Sequence, residues 1–576
     1  MELLKDYLNS ISSHAFKQLA DELGTSLPEE FSSRVDYPPA NLSGQYAIPN
    51  CLELAKTFRQ SPREIASKFC KLLTEIDLED KHLIDKLNIE GPGFVNIEIA
   101  DNVYKTWLGA ELNLSTLIAT NEQKQGHKSI LEFVSANPTG PLNIVSARAA
   151  ALGDTMVRIL RVAGEQISSE YYVNNYGNQV RMLGISLGVR LFNEIKKSNL
   201  PIPEEGYQGE YLIDLAKSIV TNLADFSITL PDGNVPKDEV MAWAEENHEF
   251  FSEQAVKSLL ASQKKDLEDF NVSFDKFYLE SELHDKGKVD EALQRLQQED
   301  VTYEKEGATF FQSSKFGDDK DRVIKRADGR PTYLLADIAY HKSKYDRGYT
   351  SVMDIWGPDH HGYISRLSSA IDVLNKNNQE KTFKVLICQQ VNLLEDGKSI
   401  VMSKRLGKFH TMRDLLEKIP VDVLRYFFVQ RSISTHLDFD INLALNQSSQ
   451  NPVYYIQYAH ARICSILGEF DSRKGNLENG THQLSNSAKS LFFHALRYPE
   501  EVREISQNLE VQRLPQYLYD LASVFTSFYH DDQNKIKELV ESNGDLALAY
   551  LRLCKLTRQI FAHGLNLLGI SAPESM

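Results

Sequence analysis

The sequence predicts a multidomain α/β protein: a mostly parallel sheet with helices on both faces, a small α/β module before it and an all-helical bundle after it. Three observations carry that prediction. Strand-like and helix-like segments alternate through the middle of the chain, at Ile130–Ser135, Ser168–Val173, Ser351–Trp356 and Phe383–Gln389 with helical stretches between them. From Val421 onward the apolar spacing is helical throughout. And 576 residues, 42% of them hydrophobic, leave room for several domains and a large core.

The first block, residues 1–115, has helical spacing over Glu2–Leu19 and Ser61–Ile76, and an alternating strand at Gly91–Ile99. A polar stretch, Thr120–Lys128, leads into the second block, residues 116–410. That block opens on Leu131–Leu160, where a strand runs into Asn137-Pro138-Thr139-Gly140-Pro141, which breaks regular structure, and then into an Ala/Leu-rich helix from Ser146. A tight turn that delivers a strand onto a helix N-terminus creates an anion site, because the first-turn amides are unpaired and the dipole is positive there. This is the architecture of a nucleotide-binding, Rossmann-type half-sheet. An acidic, helix-rich insertion spans about 185–310 and carries little that looks chemical. The third block, 411–576, contains candidate helices at Val421–Ser432, Asn451–Ile466, Ser485–Val502, Leu514–Tyr529 and Leu546–Leu568.

Composition narrows the function. The five cysteines are scattered without a CxxC pair, which excludes a zinc ribbon and suits a reducing cytoplasm. No apolar run reaches membrane-helix length, and MELLKDYLNSISSH lacks a secretory pattern. A net charge of −17 argues against indiscriminate nucleic-acid binding but leaves room for a shaped RNA partner. From residue 421 onward 14 Lys+Arg face 17 Asp+Glu, so the helical end is the least repulsive to a polyanion.

A second chemical site is Val401–Lys408, VMSKRLGK, a basic loop suited to clamping phosphates, with Lys404 as a point charge. Paired with the turn at Ala136–Ser146 (ANPTGPLNIVS), it resembles the two signature motifs of the class I aminoacyl-tRNA synthetases. YYVNNYGNQV (Tyr171–Val180), TYLLADIAYH (Thr332–His341), IWGPDHHGY (Ile355–Tyr363), DVLRYFF (Asp422–Phe428) and NPVYYIQYAHAR (Asn451–Arg462) narrow the resemblance to the arginyl-tRNA synthetases, from near residue 90 to the end. The first hundred residues match that family's additional tRNA-binding domain more loosely.

The resemblance implies ATP-dependent attachment of L-arginine to its tRNA through an arginyl-adenylate, with an α-helical anticodon-binding domain at 411–576. It implies catalytic roles for Lys404, Asn143 and Ser146, with Mg²⁺ accompanying ATP and no dedicated metal site. Pro138, Gly140, Asn143, Ser146, His360, His361, Met402, Ser403 and Lys404 would bind ATP. Glu132, Asn137, Tyr333 and Asp337 would bind arginine: a guanidinium demands carboxylate acceptors, and Tyr333 and Asp337, four apart, share a helix face. The His360–His361 pair invites a metal, but no third ligand lies close in sequence, and a role near adenosine fits better. Tyr454, Tyr455, Tyr458 and His460 cluster with Arg462; of these, Tyr458 and Arg462 are the expected tRNA contacts. The resemblance implies a monomer, and no heptad seam argues otherwise.

The chain departs from the family pattern at the first motif, where two histidines and a glycine are replaced by Asn143, Ser146 and Val145, and at the second, where Val401 replaces a lysine. Asn and Ser still supply neutral donors. An alternative reading is a catalytically impaired tRNA-binding paralogue, disfavoured because Glu132, Asn137, Tyr333, Asp337 and Lys404 are retained together.

Overall fold

The computed structural model describes residues 3–39, 42–109, 114, 127–221, 228–231, 235–376, 380–399, 411–470 and 483–576. They form two compact units, Met1–Glu122 with Pro452–Asn566 and Ser571–Met576, and Gln123–Asn451 with Leu567–Ile570.

The N-terminal part of the first unit contains α1 (Leu4–Glu22), β1 (Tyr46–Ile48), α2 (Pro62–Glu79), β2 (Ile84–Glu90) and β3 (Phe94–Ile99). α1 buries Leu8, Ile11, Ala15, Phe16 and Leu19, spaced by three and four, against the sheet and α2, where Phe16 stacks on Phe69 at 4.1 Å. α2 begins with a capping box in which Ser61 and Glu64 bond reciprocally, with Pro62 at its first position. The three strands are antiparallel in the order β1-β3-β2. Gly91 and Gly93, read from sequence as strand, form the hairpin turn instead, both at positive φ (50° and 147°).

In the second unit β4 (Lys128–Glu132) leads to α3 (Ile144–Val162), β5 (Gln166–Val173), α4 (Asn178–Lys196), α5 (Tyr211–Thr221), α6 (His248–Asp269) and β6 (Lys276–Leu279). A small antiparallel sheet follows, β7 (Thr302–Lys305), β8 (Ala308–Phe311) and β9 (Arg322–Lys325). Then come α7 (Tyr333–Asp346), β10 (Ser351–Trp356), α8 (Ile364–Asn375), β11 (Thr382–Ile387), β12 (Val391–Glu395), β13 (Lys398–Ser399), α9 (Val421–Val429) and β14 (Leu437–Asp440). The main sheet is fully parallel, ordered β11-β10-β4-β5-β6. The chain builds outward from β4 through β5 and β6, then returns to add β10 and β11 on the other side. The reversal lies between β4 and β10, where an open α/β sheet leaves its ligand crevice.

Two boundaries differ from the sequence reading. The stretch read as a helix-rich insertion also holds the edge strand β6 and most of the hairpin β7–β8. And α9, assigned from sequence to the C-terminal bundle, lies in the second unit, which runs to Asn451. The reason is Arg425: fully buried, it bonds Asp154 Oδ2 at 2.6 Å and donates to the carbonyls of Phe270 (3.0 Å) and Leu568 (2.5 Å). Arg425→Met should cost roughly 3–5 kcal/mol, since it strips two buried carbonyls of a charged donor and leaves the buried Asp154 carboxylate with Arg158 as its remaining cation. A shift of the urea midpoint with unchanged slope would show this; a midpoint within error of wild type would contradict it.

The remainder of the first unit is α10 (Pro452–Phe470), α11 (Asn486–Leu496), α12 (Tyr498–Asn508), α13 (Arg513–His530) and α14 (Gly544–Leu567). The single helix read over Ser485–Val502 is broken at Arg497, with Pro499 in the first turn of the second piece. This bundle packs with the N-terminal module: Tyr37 (2.5 Å) and Tyr46 (3.1 Å) donate their hydroxyls to the buried carboxylate of Glu500.

Candidate active site

The turn after β4 is strained. Val134 and Ser135 sit at φ 68° and 39°, although neither is glycine and valine is β-branched; such positions cost about 1–3 kcal/mol each and persist only where surroundings hold them. Here they do. Ser135 Oγ accepts from the Tyr172 amide (3.0 Å), and the Tyr171 hydroxyl donates to Ala136 O (2.9 Å). Tyr211 donates to Thr139 O (2.5 Å), and the buried amide of Gln263 donates to Asn137 O (3.1 Å) and Gly140 O (2.8 Å). α5 and α6, within the insertion that looked chemically silent, therefore brace the turn.

The turn ends at Asn143, the N-cap of α3, whose Oδ1 accepts from the Ser146 amide at 2.8 Å; the helix begins at Ile144, two residues before the sequence reading. The Asn143 Nδ2 and the Ser146 hydroxyl have no partner among the described residues, and Asn143 is exposed while Pro138 is buried. Met402, Ser403 and Lys404 lie outside the described residues, but the chain re-emerges beside this helix start. Thr411 forms a bridge with Asn143, and the Met412 amide donates to Leu142 O at 2.8 Å. The residues that follow the second segment singled out in the sequence thus adjoin the first.

α7 begins at Tyr333, which is 55% exposed, and places Asp337 one turn further on. Tyr176, Asn178, Glu280, His284, Arg326 and Tyr333 are among the residues lining a cavity of about 170 Å³ at this end of the helix. Tyr176 stacks on His284 at 3.8 Å. The Tyr363 hydroxyl donates to Asp337 Oδ2 at 2.6 Å. Burial raises the Asp337 carboxyl to about 6, with Tyr363 and His341 pulling it down and Glu280 and Glu132 pushing it up. Burial likewise drives the Tyr172 phenol far above its ordinary range, reinforced by Glu280, Asp337 and Glu132. Three carboxylates therefore converge here, an acidic environment that suits a cationic side chain.

Behind Asp337 lies a buried charge cluster. Glu132 and Asp354 are register partners on β4 and β10, at the point where the strand order reverses. Lys344 Nζ bridges them, 2.6 Å from Glu132 Oε2 and 2.9 Å from Asp354 Oδ1. Burial opposes the Lys344 charge, but Asp354 and Glu132 outweigh it and hold its pKa above the ordinary lysine value. Glu132, His341 and Asp354 bring ligand atoms within 4.8 Å of one another, a spacing that could hold a metal ion, yet the Lys344 ammonium already satisfies both carboxylates.

Comparison with known proteins decides what this crevice belongs to. The family model described as tRNA synthetases class I (R), catalytic domain, matches residues 111–419; an arginyl tRNA synthetase N terminal domain matches 5–99, and a DALR anticodon binding domain matches 456–576. The arginine–tRNA ligase of Leptospira biflexa serovar Patoc (strain Patoc 1 / Ames) is 42% identical over 600 residues, covering 100% of this chain and 97% of that one. The chain belongs to the arginyl-tRNA synthetases. The arginine–tRNA ligase of Bacillus subtilis (strain 168) is 40% identical over 94% of each chain. The Thermus thermophilus arginyl-tRNA synthetase superposes with a TM-score of 0.75 at 20% identity over 100% of both chains, a likeness of fold.

For an arginyl-tRNA synthetase the remaining expected residues stand as follows. Asn137 is exposed and donates to Gln179 Oε1 at 2.8 Å. His360 is exposed on the short 3₁₀ segment after β10, edge-on to Trp356 at 6.0 Å, while the side chain of His361 lies outside the described residues. In the bundle, the Arg462 guanidinium lies over Tyr458 (5.4 Å) and Tyr529 (5.3 Å), and both rings are exposed. His460 instead is buried against Pro573 O at 2.8 Å. Sequence reasoning missed Glu280, Gln263, Lys344 and Tyr529. Of these only Lys344 left a signal, its spacing of seven from Asp337, two turns along one helix face.

Proposed function

We propose the following division of labour for the ligation of L-arginine to tRNA(Arg) by this class I synthetase, in which ATP is a substrate. The arginine carboxylate attacks the α-phosphorus of ATP, pyrophosphate leaves, and a ribose hydroxyl of the terminal adenosine then displaces AMP from the adenylate. Asp337 accepts from the guanidinium, with Tyr333 at the cavity mouth and Glu280 adding negative charge. Asn137 and the free oxygen of Glu132 hold the α-amino end. The Asn143 amide, the Ser146 hydroxyl and the amides of the first turn of α3 donate to the phosphates, which Met402, Ser403 and Lys404 also bind. Pro138 and Gly140 shape the nucleotide's seat, and His360 and His361 sit beside its adenosine. Mg²⁺ travels with ATP and neutralises its phosphates. Residues 1–115 and 452–576 serve tRNA binding, with Tyr458 and Arg462, joined by Tyr529, stacking on anticodon bases. The chain acts as a cytoplasmic monomer.

The observation that carries this reading is the half-buried, charge-crowded Asp337 one helical turn behind an exposed Tyr333. Only ionised Asp337 pairs with a guanidinium, so arginine affinity should hold steady above the Asp337 pKa. It should then weaken about tenfold per pH unit as pH falls below about 6. Asp337→Asn should abolish that limb. An unchanged limb in the variant, read by equilibrium binding of arginine, would remove Asp337 from the substrate site.

A further inference from the structure

The turn Ala136–Gly140, between β4 and α3, has four of its five carbonyls held by side chains from elsewhere in the fold. Tyr171 on β5 serves Ala136 O, and Tyr211 on α5 serves Thr139 O. The other two, on Asn137 and Gly140, both accept from one side chain, Gln263 near the end of α6. Gln263 is 1% exposed, and its Nε2 lies 3.1 Å from Asn137 O and 2.8 Å from Gly140 O. Its Oε1 lies 3.0 Å from the Tyr171 hydroxyl. Among side chains, only a primary amide of this length donates twice without bringing a charge into the interior. A bare carbonyl oxygen carries partial negative charge, so one left uncapped beside a polyanionic nucleotide would repel it.

α6 is itself fixed just beyond Gln263. Asp266 and Asp269 hold Arg413, whose Nε lies 2.8 Å from Asp266 Oδ1 and whose Nη2 lies 2.9 Å from Asp269 Oδ2. Arg413 follows directly on Thr411 and Met412, which reach back to Asn143 and Leu142 at the start of α3. The contacts form a closed circuit: from the turn through Gln263 to α6, through Arg413 to residues 411–413, and back to α3.

We infer that Gln263 is a positioning residue for the nucleotide half of the site, through which the helical insertion sets the conformation of the Asn137–Gly140 turn. Its role rests on the proposed seating of ATP at this turn and at Asn143 and Ser146. The insertion thereby acts on ATP without touching it. The backbone just before the turn needs such restraint, because Val134 and Ser135 at positive φ persist only where surroundings hold them.

Gln263→Met keeps the length and burial of the side chain and removes both donors. In pyrophosphate exchange with tRNA present, it should lower kcat/KM for ATP about 100-fold, the cost of a misplacement on the order of 1 Å. The KM for arginine should stay within about threefold, because the guanidinium reader stands on α7. A lower urea midpoint with both constants unmoved, or moved together, would make Gln263 a core support only and overturn the inference. Asn143→Ala is the control on the underlying reading and should raise the KM for ATP. If it does so while Gln263→Met leaves ATP use intact, the inference fails and the reading stands. If neither variant touches ATP use, the seating of ATP at this turn fails, and the inference with it. Should Gln263→Met not fold, Arg413→Gln loosens the end of α6 from outside the turn. It should give the same split with a smaller loss, about tenfold in kcat/KM for ATP. Equal loss for both substrates, or none, would count against the inference.

Discussion

Replacing Asp337 by alanine raises the KM for arginine about 100- to 1,000-fold and leaves the KM for ATP within about twofold. The magnitude follows from truncating one partner of a buried, charge-assisted contact, which costs roughly 3–4 kcal/mol. The selectivity follows from placement. Asp337 lies one turn along α7 from the cavity-lining Tyr333, with Glu280 and Glu132 nearby, whereas the helix start proposed to hold the phosphates is built by Asn143 and Ser146. Steady-state kinetics in pyrophosphate exchange, run with tRNA present, separate the two constants. Equal damage to both would mean that Asp337 supports the fold rather than reads the guanidinium.

Lys404→Ala acts on the other quantity. It should lower kcat by roughly 10²–10³-fold with little change in arginine affinity, because an ammonium that meets the phosphates as pyrophosphate departs contributes mainly in the transition state. The neutral first motif sharpens this expectation. Asn143 spends its Oδ1 on capping α3 and keeps only its amide hydrogens for ligand, and Ser146 keeps only a hydroxyl. With no imidazolium at either position, more of the charge neutralisation falls to the loop. An effect confined to KM, with kcat intact, would contradict that role.

Much of this was legible in the chain because it is local. The break at Asn137–Pro141, the helix that follows it, and the pairing of Tyr333 with Asp337 at the start of α7 depend on residues within a few positions of one another. The parallel sheet followed from alternation of strand and helix. What could not be read is non-local or runs against propensity. Lys344 meets Glu132 across 212 residues of sequence, and Gln263 reaches Asn137 across 126. Glu280 follows a four-residue edge strand whose place in the sheet only tertiary pairing fixes. Val134 at positive φ defies the preference of a β-branched residue, and no sequence pattern marks it; the surrounding hydrogen bonds impose it. Residues 421–429 looked like bundle helix because their spacing is helical, and a single buried arginine assigns them elsewhere.

The central claim is that this crevice charges tRNA with arginine through a first motif in which Asn143, Val145 and Ser146 replace the usual side chains. The most direct test is aminoacylation of total tRNA from the source organism with radiolabelled arginine, ATP and Mg²⁺, with lysine and cysteine in parallel. Arginine alone should be charged. Lysine should be rejected because an ammonium leaves acceptors built for a planar fork unpaired. tRNA that still binds but acquires no arginine would contradict the claim and leave the chain as a non-catalytic RNA-binding relative.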